Sequence, residues 1–146
     1  MDRFKMPVFS AVILKQDNQI CLHKRSLGAK LHGGFYAISG GGVDGQETIN
    51  QATIREAREE LGIELNPADI TLAHVLHVRA SNGDEYINFF MQASRWHGTP
   101  KIMEADKCSE VAWFDLDKLP ENIMPMHKHV IDMIKKGIVY SQYGWE

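Results

Sequence analysis

Glu47, Arg55, Glu56, Glu59 and Glu60 stand within one short stretch of this chain, and their spacing is chemical before it is structural. At ~3.6 residues per turn, Glu56, Glu59 and Glu60 fall within about 100° of one side of a helix. Like charges four residues apart repel in an exposed helix, and a sequence selected only for helix stability would place Lys or Arg at one of these positions. Carboxylates crowded in this way form a set of hard oxygen donors, which suits Mg²⁺ or Mn²⁺. The arrangement points to metal-assisted chemistry.

The flanking sequence supplies the elements that would hold these groups. Phe35–Ser39 reads as a short apolar strand running into Gly40-Gly41-Gly42, which predicts a turn with a close backbone approach or unusual φ/ψ. Asp44-Gly45 is a further turn signal, and Thr48 with Gln51 matches a capping box, so the helix starts near Gln46 or Thr48. Gly62 is its expected C-cap. Ile54, Ala57 and Leu61 occupy a separate arc, so the helix can pack on a sheet while its acids face a cleft.

Around this unit the chain alternates strand and turn signals. Val8–Leu14 reads as a buried strand, Asp17-Asn18 as a turn and Gln19–His23 as the return strand of a hairpin. Lys24 to Lys30 carries three cations in seven residues; it reads as a solvated loop or, beside a phosphate site, as a cationic rim. His32-Gly33-Gly34 would form a lip of the same cleft. Ile70–Arg79 and Glu85–Ser94 read as longer strands joined by a hairpin at Ser81-Asn82-Gly83-Asp84. His74 and His77, three residues apart on a strand, face opposite sides, and each reads as a half-buried or surface histidine. A loop over Lys101–Ser109, a strand over Val111–Asp115, a helix over Met126–Lys136 and an aromatic tail from Tyr140 complete the chain. Val130, Ile131 and Ile134 would form the inner face of that last helix.

Composition sets the bounds. At 146 residues, with 44% hydrophobic and 24% charged residues, the chain fits one soluble domain, residues 1–146, with a core large enough to need no staples. A net charge of −3 without a dominant basic patch gives no reason to expect duplex nucleic acid as a partner. Cys21 and Cys108 match no zinc spacing and read as reduced thiols. The longest apolar run is too short to span a bilayer, and no secretory cleavage site follows the first residues. The expectation is a cytoplasmic protein, monomer or homodimer, without membrane contact.

The stretch Gly41 to Ile63 closely resembles the box of the Nudix hydrolase family: Gly, five residues, Glu, seven residues, then Arg-Glu-U-x-Glu-Glu-x-Gly-U, with U bulky and apolar. Here Gly41 precedes Glu47 by that spacing, and Arg55-Glu56-Ala57-Arg58-Glu59-Glu60-Leu61-Gly62-Ile63 follows. Ala57 at the first U position departs from the pattern and implies smaller packing. The glycine usual before the first Glu is replaced by Gln46, and the usual Pro-Gly-Gly is Ser39-Gly40-Gly41.

The resemblance implies an α/β fold of the α+β kind, an α/β/α sandwich around a mixed sheet. It implies Mg²⁺- or Mn²⁺-dependent hydrolysis of a nucleoside diphosphate linked to another group. Carried over by position, Glu56, Glu59 and Glu60 would hold metal, with the Gly40 or Gly41 carbonyl, and Arg55 would pair with Glu47 to fix the carboxylates. Glu59 or Glu56 would accept the proton of the attacking water. A further Glu from outside the box is expected at Glu104, with Asp106 or Glu110 as alternatives. Lys24 and Arg25 are the expected phosphate contacts. Met124 and His127 stand in the segment expected to meet the base, and Met124 with Met126 would make an adaptable slot.

The segment from Glu104 to Cys108, with Trp113-Phe114 and Leu119-Pro120, looks like the branch acting on (modified) nucleoside triphosphates to give a monophosphate and pyrophosphate. Met124-Pro125-Met126-His127 stands where mammalian oxidised-purine hydrolases carry an acidic pair. Rival readings are hydrolysis of ADP-ribose or a diadenosine polyphosphate, or a non-catalytic nucleotide-binding module that regulates a partner.

Overall fold

A computed structural model describes residues 2–146. The strands are β1 (Val8–Gln16), β2 (Gln19–Arg25), β3 (Tyr36–Ala37), β4 (Ser39–Gly42), β5 (Thr71–Arg79), β6 (Glu85–Ala93), β7 (Cys108–Asp115) and β8 (Tyr140–Tyr143). The helices are α1 (Ile49–Leu61) and α2 (Pro125–Lys135), with a single 3₁₀ turn at Pro67–Asp69. All eight strands join one mixed sheet whose main path runs β3-β2-β1-β6-β5-β8, with β4 on β1 and β7 on β2. β1 runs parallel to β6, and β5 parallel to β8; the other ladders are antiparallel.

Strand alternation divides the core between two layers. Val12 and Leu14 of β1 pack with Cys21, Ala57, Leu61 and Met91 on the α1 side. Their alternates Ala11 and Ile13 pack with Leu22, Leu76, Phe90, Val130 and Ile131 on the α2 side. The sheet is therefore filled on both faces, an α/β/α sandwich with a mixed sheet, as the resemblance implies. None of the described helices is long and apolar enough to cross a membrane. Both cysteines are free and buried.

Several elements differ from the sequence expectation. Gly40, Gly41 and Gly42 are not a turn but β4, laid antiparallel on Ala11, Ser10 and Phe9. The close approach expected of them is real: a Cβ on Gly40 would collide with the β1 backbone at Ser10 and Ala11. Lys24 and Arg25 end β2 rather than opening a loop. β7 begins at Cys108, three residues before the expected Val111, because β2 continues far enough to pair with it. His74 is fully buried, not half-exposed, because Ile138 and Ser141 of the returning tail satisfy both its ring nitrogens. That tail, read only as packed, is β8 on the edge of β5.

Candidate active site

The helix carrying the acids is fixed at both ends by its own sequence. Thr48 Oγ1 accepts from the Gln51 N–H at 3.1 Å while Gln51 Oε1 accepts from the Thr48 N–H at 2.8 Å. Gly62 closes the other end in a left-handed conformation, φ 66°. Ser10 of β1 and Thr53 of α1, both fully buried, share a 2.7 Å hydroxyl bond that fastens the helix to the sheet. The short loop before α1 holds Gln46 at φ 70°, a conformation that glycine adopts freely and glutamine does not. This is where the family's usual glycine is missing.

Arg55 lies at the centre of the acids. It donates to Glu47 from Nε (3.1 Å) and Nη2 (2.7 Å), to the Gly42 carbonyl from Nη2 (3.0 Å), and to Glu56 (3.0 Å) and Glu59 (3.4 Å) from Nη1. Hydrogen bonding from Arg55 holds the Glu47 carboxyl below the usual range. Glu56, 8% exposed, is pushed up by burial against the opposing pull of Arg55. Glu60 is pushed up to about 8, by burial first and then by Glu56, with the Gly40 N–H working the other way and Glu104 adding to the rise. Gly41 provides the space beside these groups, since a Cβ there would overlap the Glu56 carboxylate.

The donor set fits a hard divalent cation. Glu60 Oε1 is buried without a hydrogen-bond partner among the described residues, an unusual state for a carboxylate and one that a cation would relieve. Glu104 adds to the rise at Glu56, and Glu56 and Glu104 add to the rise at Glu60, so added positive charge would favour the ionised forms of these two carboxyls. No three His, Cys, Asp or Glu side chains among the described residues converge as a ready-made ion cage. Part of the reason is visible: Arg55 already engages Glu56 and Glu59. The residues that could hold a cation are Glu56 and Glu60, with Glu59 at the solvent side and Glu104 across the gap.

Two clefts meet at Glu60. One, about 390 Å³, is lined by Arg25, Lys30, Glu104, Asp106 and Lys107. Glu104 sits there paired with Lys107 at 3.1 Å. The other, about 440 Å³, lies on the α2 face and is lined by Phe9, Tyr86, Asn88, Met124, Met126, His127 and Tyr143, with Gly40 and Gly41 at its inner end. His23, Arg25 and Glu60 border both, so Glu60 stands where a charged cleft joins an apolar one.

The structure thus brings Arg25, Gly40, Gly41, Glu60, Glu104, Met124 and His127 to the clefts. Lys24 is not brought there. It alternates with His23 and Arg25 along β2, and its Nζ lies 5.6 Å from the Tyr36 ring centre. Of the alternatives to Glu104, Asp106 lines the charged cleft, whereas Glu110 accepts from Tyr36 Oη at 3.0 Å. His127 is also structural: its Nδ1 accepts from the Ile38 N–H at 2.9 Å. Spacing alone missed Phe9, Tyr86, Asn88 and Tyr143, which reach the apolar cleft from three separate strands. The only signal in the sequence was a polar Asn88 among apolar neighbours in β6.

Comparison with known proteins agrees with this geometry. A family model described as NUDIX domain matches residues 4–134. An 8-oxo-dGTP diphosphatase of Proteus vulgaris is 34% identical over 76 residues, which is 51% of this chain and 67% of that protein. A CTP pyrophosphohydrolase of Escherichia coli (strain K12) is 36% identical over 70 residues, 48% of this chain but only 51% of that relative. Among solved structures, a MutT NUDIX hydrolase from Burkholderia pseudomallei superimposes with a TM-score of 0.79 at 29% identity. That superposition covers 88% of this chain and 98% of the other.

Proposed function

Because this chain belongs to the Nudix hydrolase family, we propose that it cleaves the phosphoric anhydride of a nucleoside triphosphate, giving a nucleoside monophosphate and pyrophosphate. The observation that carries this reading is the junction of the two clefts at Glu60, beside an arginine-organised set of carboxylates. The similarity to enzymes named for 8-oxo-dGTP and CTP supports a triphosphate as substrate. The charged cleft would take the phosphate chain, with Arg25 and Lys30 as counter-charges, and the apolar cleft the base.

In the reaction a water oxygen forms a bond to phosphorus as the bridging P–O bond breaks, and the water's proton goes to a carboxylate. Glu59 is the better placed acceptor. Its side chain is 53% exposed and held only by a 3.4 Å contact from Arg55, whereas Glu56 is buried against the guanidinium. Mg²⁺ or Mn²⁺ held by Glu56, Glu60 and Glu104 would screen the phosphate charge and make the attacking water more acidic. Arg55 keeps Glu56 and Glu59 oriented, and Glu47 in turn fixes Arg55 through two nearly parallel bonds. Gly41 leaves Glu56 its space.

The test is a panel of nucleoside triphosphates, oxidised purine triphosphates, ADP-ribose and diadenosine polyphosphates, incubated with Mg²⁺ or Mn²⁺ and resolved by chromatography. Monophosphate and pyrophosphate from at least one triphosphate are expected. Turnover of the dinucleotides alone would overturn the substrate class. No turnover of any compound at substrate-level enzyme concentrations would overturn catalysis and favour a binding role.

A further inference from the structure

The apolar cleft contains a polar group that the fold leaves unused. Asn88 lies mid-strand in β6, in register with Phe9 of β1 on one side and Leu76 of β5 on the other. Its side chain lines the cleft and the residue is 9% exposed, yet Oδ1 is buried with no hydrogen-bond partner among the described residues. An unpaired amide oxygen is costly at such a place, where an aliphatic side chain would pack without penalty. A turn of the carboxamide about χ2, a torsion with broad wells, would bring that oxygen into the cleft, and the cost is explained if the occupant then supplies the missing hydrogen.

The surrounding surfaces say what shape that occupant has. Phe9 and Tyr86 meet edge to face with ring centres 5.0 Å apart, and the Tyr86 hydroxyl donates to Met126 Sδ at 3.6 Å. Tyr143 completes the wall from β8. Aromatic rings and a thioether around one unsatisfied amide suit a flat heterocycle with a polar edge.

We propose that Asn88 is a specificity-determining residue whose carboxamide oxygen accepts a hydrogen bond from an N–H on the edge of the substrate's base. This rests on the reading of the protein as a nucleotide hydrolase and adds the contact by which the base is read: an exocyclic amine or a ring imino group presented to β6. The Nδ2 group beside the oxygen can donate to an adjacent acceptor on the same edge, so a neighbouring donor and acceptor are held together.

The experiment compares the triphosphate hydrolysed best with analogues lacking one N–H. For cytosine the analogue is the 4-deamino base, for adenine unsubstituted purine, for guanine hypoxanthine; ring N-methylated forms of guanine or uracil test the imino source. Loss of the relevant N–H is expected to lower kcat/KM of the wild-type protein roughly 10- to 100-fold, the size of a bidentate amide–base pair. In Asn88→Leu, parent and analogue are expected to become equal within about threefold, the signature of a direct coupling. Equal handling of parent and analogue by the wild-type protein would overturn the proposal, as would discrimination that survives in a folded Asn88→Leu. The wild-type comparison stands even where the variant fails to fold. Calorimetric binding of the same nucleotide pairs asks the Asn88 question without turnover, so a failure of catalysis and a failure of base reading give different results.

Discussion

Arg55 supplies what the acids of α1 lack, a positive charge among them. Its guanidinium reaches Asp44 (3.5 Å), Glu47 (2.7 Å), Glu56 (3.0 Å) and Glu59 (3.4 Å). Of these, Glu59 is the group whose removal separates chemistry from folding, because it is half-exposed and weakly tied. Glu59→Gln is expected to lower kcat about 10²–10⁴-fold, the span of general-base catalysis, with the thermal midpoint unchanged. Steady-state kinetics beside a melting curve check it, and near-wild-type turnover would remove Glu59 from the mechanism. The helix acids could be read from the sequence because i, i+3 and i, i+4 neighbours are fixed by helical geometry alone. Glu104 could be named only through the resemblance, since nothing local ties a loop residue to a helix more than forty positions earlier. Arg25 lines both clefts and Lys24 neither, since a cation in a basic run carries no mark of which way its strand will turn it.

At the level of elements, two adjacent glycines of β4 have different tasks. A Cβ on Gly40 would meet the β1 backbone, which cannot yield without separating the strands, whereas one on Gly41 would meet only the end of the Glu56 side chain. Gly40→Ala is therefore expected to destabilise the fold by about 1–3 kcal/mol. Gly41→Ala is expected to displace the carboxylate, with a loss of activity and a small loss of stability. Urea titration and kcat/KM on both variants check the pair; the reverse pattern would show that the two close approaches have been misassigned. The capping box and Gly62 gave α1 its limits in advance, since caps are local signals. β4 was hidden because its pairing partner lies about thirty residues earlier, and three glycines have no β propensity of their own to announce a strand.

For the molecule as a whole, His127 and His23 contribute to the response to acid. Burial, with His23, Arg25 and His32 nearby, lowers the His127 pKa from 6.5 to about 3, and His23 is lowered to about 4 by burial and Arg25. The unfolded chain takes up these protons near pH 6.5 and the folded one does not, so their contribution is complete above that pH and is lost as pH falls toward 3–4. Protonation of His127 Nδ1 would also break its bond from Ile38. The urea midpoint should drop between pH 7 and pH 4.5, and less steeply in His127→Gln; equal slopes would exclude this histidine. The sandwich itself was foreseeable from alternating patterns and the Nudix box, but the apolar cleft was not, because it is assembled by strand order. β1 lies parallel to β6 with Phe9 opposite Asn88, a contact spanning more than half the chain, while β1, β4 and α1 are close neighbours in sequence. Closing a longer loop costs more entropy and delays its contacts, so refolding should raise the acid-bearing helix before the base cleft exists. The protein would regain its cluster of acids before it regained the means to choose a base.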